Sequence, residues 1–258
     1  MTGYIVFAIP ALHDNYIWAI GEKNLKNVVI VDPGEAAPVE DFLKQHHFTL
    51  SGILITHHHW DHTNGIMELI SRWKVPVWGP AQEDVKGVTV PVQEPDVITL
   101  TPFSLTSRVL NIPGHTKGHI AYYMKGMLFC GDTLFAAGCG RLFEGSAEQL
   151  FSSLQKIAAL PDDTDIYCAH EYTLHNLQFA ELVEPGNKNI QEKIIRVNEW
   201  RKKGLPSLPS TLAEEKNTNP FLRCDSPEVI ASVERYADRP LKDKLSVFTW
   251  LRKWKDQF

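Results

Sequence analysis

The stretch Thr56-His57-His58-His59-Trp60-Asp61-His62 constrains this chain more than any other. It follows Gly52-Ile53-Leu54-Ile55, a short apolar run of strand type, and precedes a helical pattern at Ile66, Leu69, Ile70 and Trp73. Four imidazoles and a carboxylate therefore crowd a strand-to-helix loop, where a rigid scaffold displays working residues. His57 and His59 are two apart, so extended backbone sends both side chains to one side and His58 to the other. Asp61 and His62 come where the chain turns into the helix, and they approach the same spot from a second direction. Imidazole with carboxylate suits zinc, iron or manganese. Five candidate ligands in one loop exceed the needs of a single tetrahedral ion, so two metals are in view. A chance His-rich loop has no packing rationale beside an apolar strand.

The same arrangement recurs downstream. His115 follows the run Val109–Ile112, Asp132 follows Leu128–Cys130, and His170 follows Ile166–Cys168. Strand ends gathered on one sheet edge would bring these side chains to the His57–His62 loop. One such histidine is an ordinary loop residue; three positions and a cluster make a pattern.

Around these motifs the first part of the chain alternates strands and helices. Tyr4–Ile9, Tyr16–Ile20, Asn27–Val31, Ile53–Ile55, Val75–Trp78, Leu105–Ile112, Ile120–Met124, Met127–Cys130 and Asp165–Cys168 read as strands. Lys125-Gly126 is a two-residue hairpin turn. Pro38–His47, the segment ending near Lys74, and Leu150–Ala158 read as helices. Between Gln82 and Pro102 the pattern is weak. After Tyr172 the character changes, and 174–184, 190–203, 227–236 and 242–258 all read as helical with no strand among them. The spacing therefore predicts a mixed α/β domain over 1–172 and a helical appendage over 173–258.

Composition narrows the function classes. A formal charge of -5 gives no broad nucleic-acid surface, so any basic site is local. No apolar run approaches a membrane span. The opening residues lack a basic n-region and read as a strand, not a signal peptide. The four cysteines form no CxxC pair and suit a reducing compartment, so a cytoplasmic protein is expected.

The His-x-His-x-Asp-His signature after a strand resembles the metallo-β-lactamase superfamily. Asp14-Asn15-Tyr16, Asp32-Pro33-Gly34, Gly114-His115-Thr116-x-Gly118-His119, Gly131-Asp132-Thr133-Leu134-Phe135, Gly138-Cys139-Gly140-Arg141, His170-Glu171-Tyr172-Thr173 and Arg252-x-x-Lys255-Asp256-x-Phe258 narrow the resemblance to glyoxalase II, the hydroxyacylglutathione hydrolases. One departure is Asn64 before Gly65, where a Gly-Gly pair commonly follows the Asp-His.

The resemblance implies an αββα four-layer sandwich followed by a small helical substrate-binding domain. It implies His57, His59 and His115 on one metal, Asp61, His62 and His170 on the other, and Asp132 bridging them. The ions would be two divalent metals, zinc foremost, with iron or manganese as alternatives. His58 is read as pointing away, His119 as structural support, and His13, His46, His47 and His175 as surface or packing residues. Asp61 and Asp132 would be the carboxylates of a centre whose metal-activated water attacks a glutathione thioester, S-(R)-lactoylglutathione, giving glutathione and D-lactate. Arg141, Tyr172, Arg252 and Lys255 would grip the anionic glutathione. Arg252 and Lys255 are three apart, hence on one helix face, and Val247, Leu251, Trp254 and Phe258 form the apolar stripe that docks that helix.

A monomer is expected, with neither nucleic acid nor membrane as partner. Competing readings are a persulfide dioxygenase-like enzyme with one iron, another thioester hydrolase on this fold, and a non-catalytic binding protein. The last would be marked by lost ligands, and none of the seven positions is lost.

Overall fold

The computed structural model describes residues 3–258. The chain forms two compact units: one runs to Asn111 and resumes over Lys117–Gly131, and the other comprises Ile112–Thr116 and Asp132–Phe258.

The first unit opens with a six-stranded sheet in sequence order: β1 (Tyr4–Ala11), β2 (Asn15–Glu22), β3 (Asn27–Val31), β4 (Thr49–Leu54), β5 (Val77–Pro80) and β6 (Val90–Val92). The first three strands run antiparallel, with Tyr4 opposite Glu22 and Trp18 opposite Val31. From β3 to β6 the pairing is parallel, so each connection must cross back over the sheet, through helices for the first two and a loop for β5 to β6. Helix α1 (Ala37–His46) links β3 to β4, and the short α2 (Trp60–Thr63) with α3 (Ile66–Arg72) links β4 to β5. The run Val28–Val31 is buried throughout, as a central parallel strand covered on both faces requires. Val39 and Leu43 of α1 and Ile66 and Leu69 of α3 pack on Val28, Ile30 and Ile53, forming this unit's apolar core. Each such side chain contributes about 1.5–3 kcal/mol by leaving water.

The rest of this unit is antiparallel: β7 (Val97–Leu100), β8 (Leu105–Asn111), β9 (Ile120–Met124) and β10 (Met127–Gly131), ordered β10-β9-β8-β7. Tyr122 of β9 is fully buried, and its hydroxyl donates to Ile55 O at 3.0 Å and Trp78 O at 3.2 Å. One phenol thus satisfies two carbonyls and joins the two sheets. Burial pushes that phenol well above its ordinary pKa.

The second unit carries a small hairpin, β11 (Leu134–Phe135) with β12 (Gly138–Cys139), then α4 (Ala147–Ala158), β13 (Asp165–Cys168), α5 (Thr173–Val183) and α6 (Lys188–Lys202). There follow β14 (Ser210–Thr211), α7 (Leu212–Thr218), a 3-10 turn at Pro220–Leu222, α8 (Pro227–Ala237) and α9 (Lys244–Gln257). Capping boxes start α4 at Ser146/Gln149 and α9 at Asp243/Ser246.

The expectation of a strand-free remainder after Tyr172 fails by two residues. Ser210–Thr211 pairs antiparallel with β13, Thr211 opposite Asp165 and Ser210 opposite Ile166. Two polar residues carry no periodicity to read; Thr211 is extended because it caps α7, accepting from Glu214 N.

A buried network fixes the β11–β12 hairpin, whose turn puts Ala137 at φ 55. Glu215 Oε2 accepts from Ala137 N at 2.7 Å, and Glu215 Oε1 accepts from Lys193 Nζ at 2.6 Å. Asn219 Nδ2 donates to Gly138 O at 2.9 Å and to Phe135 O at 3.2 Å. Burial alone would lower the Lys193 pKa, but Glu215 and Glu214 outweigh it and hold the ammonium above its ordinary value.

Candidate metal centre

In the first unit, Asp32 at the end of β3 organises the histidine loop. Its carboxylate accepts from Thr56 N at 2.8 Å and Thr56 Oγ1 at 2.7 Å, and it lies 3.2 Å from His62 Nδ1. Protons can be placed from these contacts. The Thr56 hydroxyl spends its hydrogen on Asp32, so it accepts from His57 Nδ1 at 3.0 Å. A carboxylate only accepts, so His62 also carries its proton on Nδ1. Both imidazoles thereby present an Nε2 lone pair, as metal-ligating histidines with a carboxylate behind them do.

The lone pairs have neighbours at ligand spacing. His57 Nε2 lies 3.1 Å from His59 Nδ1, and His62 Nε2 lies 3.3 Å from Asp61 Oδ2. Donors on a tetrahedral ion with bonds of about 2.0–2.1 Å stand roughly 3.3–3.4 Å apart. Asn15 holds Asp61 in place, its Nδ2 donating to Oδ2 at 3.1 Å and to the Asp61 carbonyl at 3.3 Å. Asp32, His57 and His62 also lie within 4.8 Å of one another through their donor atoms. Asp32 is the supporting member of that trio, since its oxygens already serve Thr56 and His62.

The backbone obeys the same geometry. A Cβ on Gly34 would stand 1.9 Å from Asp61 O, so the Asp-Pro-Gly turn must lack one there. Asn64 takes ordinary helical angles, φ -62 and ψ -26, whereas a Cβ on Gly65 would meet Pro33 O at 2.6 Å. Of the common glycine pair, the second is the one the packing needs, and Asn64 costs nothing.

His58 is held by a residue without any sequence signal. Glu83, with a side chain 4% exposed, accepts from His58 N at 2.6 Å and Gly118 N at 3.0 Å and lies 2.9 Å from His58 Nδ1. His119 is fully buried and stacks on His57, ring centres 4.6 Å apart.

In the second unit, Asp132 stands between two imidazoles. Its Oδ2 lies 3.5 Å from His115 Nε2 and 3.4 Å from His170 Nε2. His115 Nδ1 donates to Arg141 O at 2.9 Å, again leaving Nε2 with its lone pair. His170 stacks flat on Tyr172, ring centres 4.7 Å apart. Nitrogen and carboxylate donors, tautomers fixed from behind, spacings of 3.1–3.5 Å: in both units the residues fit divalent metal ligation.

The same unit holds a cavity of about 380 Å³ onto which His115, Asp132, Arg141, Tyr172, Arg252 and Lys255 face. All four residues assigned to substrate binding thus share a cavity with two metal-ligand candidates. Arg252 and Lys255 are 3% and 8% exposed, so the helix face they share is buried. Arg252 Nη1 donates to Cys139 O at 2.9 Å, and Nη2 pairs with Asp256 at 3.0 Å. Lys255 sits over Phe258 and Phe179, and burial first, then Arg252 and Arg141, lower its pKa to about 8. Cys139, also on the cavity wall, is pushed up to about 11 by burial.

His175 is exposed and packs, as read, and it also stands at the cavity. It lines this cavity, its carbonyl faces Lys255 Nζ at 3.4 Å, and its ring packs on Phe258. His46 packs among Phe7, Phe42 and Phe48, and His13 is exposed, as expected.

Two family models divide the chain. One described as the metallo-beta-lactamase superfamily matches residues 14–170, and one described as the hydroxyacylglutathione hydrolase C-terminus matches residues 171–258. The chain is 50% identical over 253 residues to a hydroxyacylglutathione hydrolase of Nitrosomonas europaea, covering 98% of this chain and 96% of that one. It is 51% identical over 252 residues to the protein of the same description from Alkalilimnicola ehrlichii, covering 98% of both. Among solved structures, ETHE1 from Myxococcus xanthus aligns over 98% of this chain and 97% of its own at a TM-score of 0.65 and 24% identity. That likeness carries the fold, two mixed sheets with helices followed by a helical C-terminal segment, and no more.

Proposed function

The chain belongs to the hydroxyacylglutathione hydrolases, the glyoxalase II family of thioester hydrolases within the metallo-β-lactamase superfamily, and on that premise we propose how its residues divide the work. His57, His59 and His115 would hold one divalent ion, Asp61, His62 and His170 a second, with Asp132 shared between them and zinc the first candidate. The tautomers fixed by Asp32 and by Arg141 O, and the place of Asp132 Oδ2 between two Nε2 atoms, support this assignment. When bound, a divalent pair supplies Lewis acidity for carbonyl polarisation and water activation.

The observation that carries the substrate reading is the cavity onto which His115 and Asp132 face together with Arg141, Arg252 and Lys255. Glutathione is anionic, and in a chain of net charge -5 these cations make a local exception. Lys255 and Arg141 attract a carboxylate remote from the scissile bond, and Tyr172 offers a hydroxyl beside His170. The carbonyl end then lies toward Asp132. The leaving group is a cysteine-type thiolate with a reference pKa of about 8.5, which departs without a strong proton donor. S-(R)-lactoylglutathione, giving glutathione and D-lactate, is the proposed substrate.

A boundary near Tyr172, with a catalytic domain before it and a substrate-binding domain after, fits the same division of labour. The four free, buried cysteines suit the proposed cytoplasmic setting, and a monomer is proposed with it. Among the described residues no helix is long and apolar enough to cross a membrane.

The test is metal analysis of the purified protein combined with thiol release from S-lactoylglutathione. Two equivalents of metal and thiol release without oxygen consumption are expected. Oxygen uptake would point to the dioxygenase-like alternative, and a metal-loaded protein that releases no thiol would refute the substrate reading.

A further inference from the structure

Asp256 belongs to the C-terminal motif but has no part in the chemistry above. It lies on α9 one turn beyond Arg252, and a single oxygen, Oδ1, faces two cations: Arg252 Nη2 at 3.0 Å and Arg141 Nε at 3.9 Å. The two arginines come from different places, α9 and the loop after β12. Arg252 is buried and also held by the Cys139 carbonyl. Arg141 is not held so: its side chain is 65% exposed, and among the described residues Asp256 is its one ion-pair partner. Lys255 has no carboxylate within 4.0 Å among the described residues. Three cations thus face one cavity, and among the described residues Asp256 is the one carboxylate within ion-pair distance of any of them.

Like charges so placed repel, and a long, exposed arginine relieves the repulsion by swinging into water. We infer that Asp256 is a positioning residue for substrate binding: by bridging Arg141 to the fixed Arg252, it keeps the Arg141 guanidinium at the cavity where a glutathione carboxylate arrives. The inference rests on the glutathione reading. It competes with a plain electrostatic alternative, in which Asp256 merely cancels positive charge. The two differ in sign. A bridge, when removed, weakens anion binding; a neutralising charge, when removed, strengthens it.

The experiment compares wild type, Asp256→Asn, Asp256→Glu, Arg141→Ala and the Arg141→Ala/Asp256→Asn double variant. Each is assayed by steady-state hydrolysis of S-lactoylglutathione, equilibrium binding of the uncleavable S-methylglutathione, and thermal unfolding. Asp256→Asn should raise KM and weaken S-methylglutathione about five- to tenfold, with kcat held within about twofold. Asp256→Glu should recover most of that loss. In the Arg141→Ala background the Asn change should add less than about twofold, because the residue it acts through is gone. An unchanged or lowered KM in a stably folded Asp256→Asn protein overturns the inference, as does a full effect that persists without Arg141. A loss that Glu does not relieve and that follows a lowered melting temperature also overturns it, since Asp256 would then be a helix-docking residue. Wild-type protein that neither binds S-methylglutathione nor cleaves the thioester overturns the substrate reading itself. Normal wild-type cleavage with an indifferent Asp256→Asn removes only the role given to Asp256.

Discussion

Arg252 Nη1 donates to the carbonyl of Cys139 across 113 positions of sequence, and so ties α9 to the β11–β12 hairpin. A residue expected only to grip substrate is therefore also a strut. Arg252→Ala should lower stability by about 1–3 kcal/mol, because it leaves a buried carbonyl without its donor. It should raise KM as well, and urea unfolding alongside kinetics would show both effects. The one hydrogen bond of Lys255 is a 3.4 Å contact to a carbonyl, beside its place over two phenyl rings, so Lys255→Gln should raise KM about tenfold with a smaller change in stability than Arg252→Ala. Metal content should stay unchanged in both variants.

The depressed pKa of Lys255, about 8, gives a pH signature. A lysine lowered in the folded state costs stability while charged, so its contribution improves as pH rises from about 8 toward the ordinary 10.5. Anion binding runs the other way, since the charge that attracts the carboxylate is lost above about 8. KM for a glutathione thioester should rise between pH 7 and 9 in wild type and stay flatter in Lys255→Gln. Equal slopes in the two proteins would remove Lys255 from substrate binding.

Asp132→Ala should leave at most one tightly held metal and cut kcat by about two orders of magnitude or more, beyond the roughly 10–100-fold typical of a supporting residue. Its carboxylate stands between His115 and His170, so two imidazoles lose one shared partner. Metal analysis after gel filtration, run beside the assay, decides the matter. Two retained equivalents and a near-normal rate would rule out a bridging role.

Lys193 and Glu215 form a pair whose side chains are 2% and 0% exposed, and their failure should be structural. Lys193→Met leaves the Glu215 charge unpaired and should cost about 3–5 kcal/mol, read by denaturant unfolding. Because Glu215 also takes the Ala137 amide, the loss should loosen the β11–β12 hairpin. Replacing both partners with apolar residues should recover part of the stability.

Much of this architecture is legible because apolar runs carry it. The strands Asn27–Val31, Ile120–Met124 and Asp165–Cys168 lie where the sequence puts them, and the ligand candidates fall at the ends of such runs. What escapes has no local pattern. The β11–β12 hairpin sits in a Gly-rich stretch held by Glu215 and Asn219, 78 and 81 positions away from the groups they bind. Glu83 sits in a polar run, and its partners lie 25 and 35 residues off. Asn15 is visible in a motif, yet its purpose, aiming the Asp61 carboxylate, appears only in three dimensions. Arg252 illustrates the remaining limit: spacing puts it on a helix face, but cannot say that the face is buried.

The thiol of Cys139, held near pKa 11 on the cavity wall, bears on how long such an enzyme lasts at its work. If the cavity takes the glutathione thioester as proposed, each turnover would deliver a fresh thiol beside it, and the corresponding disulfide could follow. Exchange requires the attacking sulfur to be ionised. Near neutral pH a thiol with that pKa is ionised in only about one molecule in ten thousand, so mixed-disulfide formation at Cys139 is slow. A wall so placed would be chemically deaf to a thiol product.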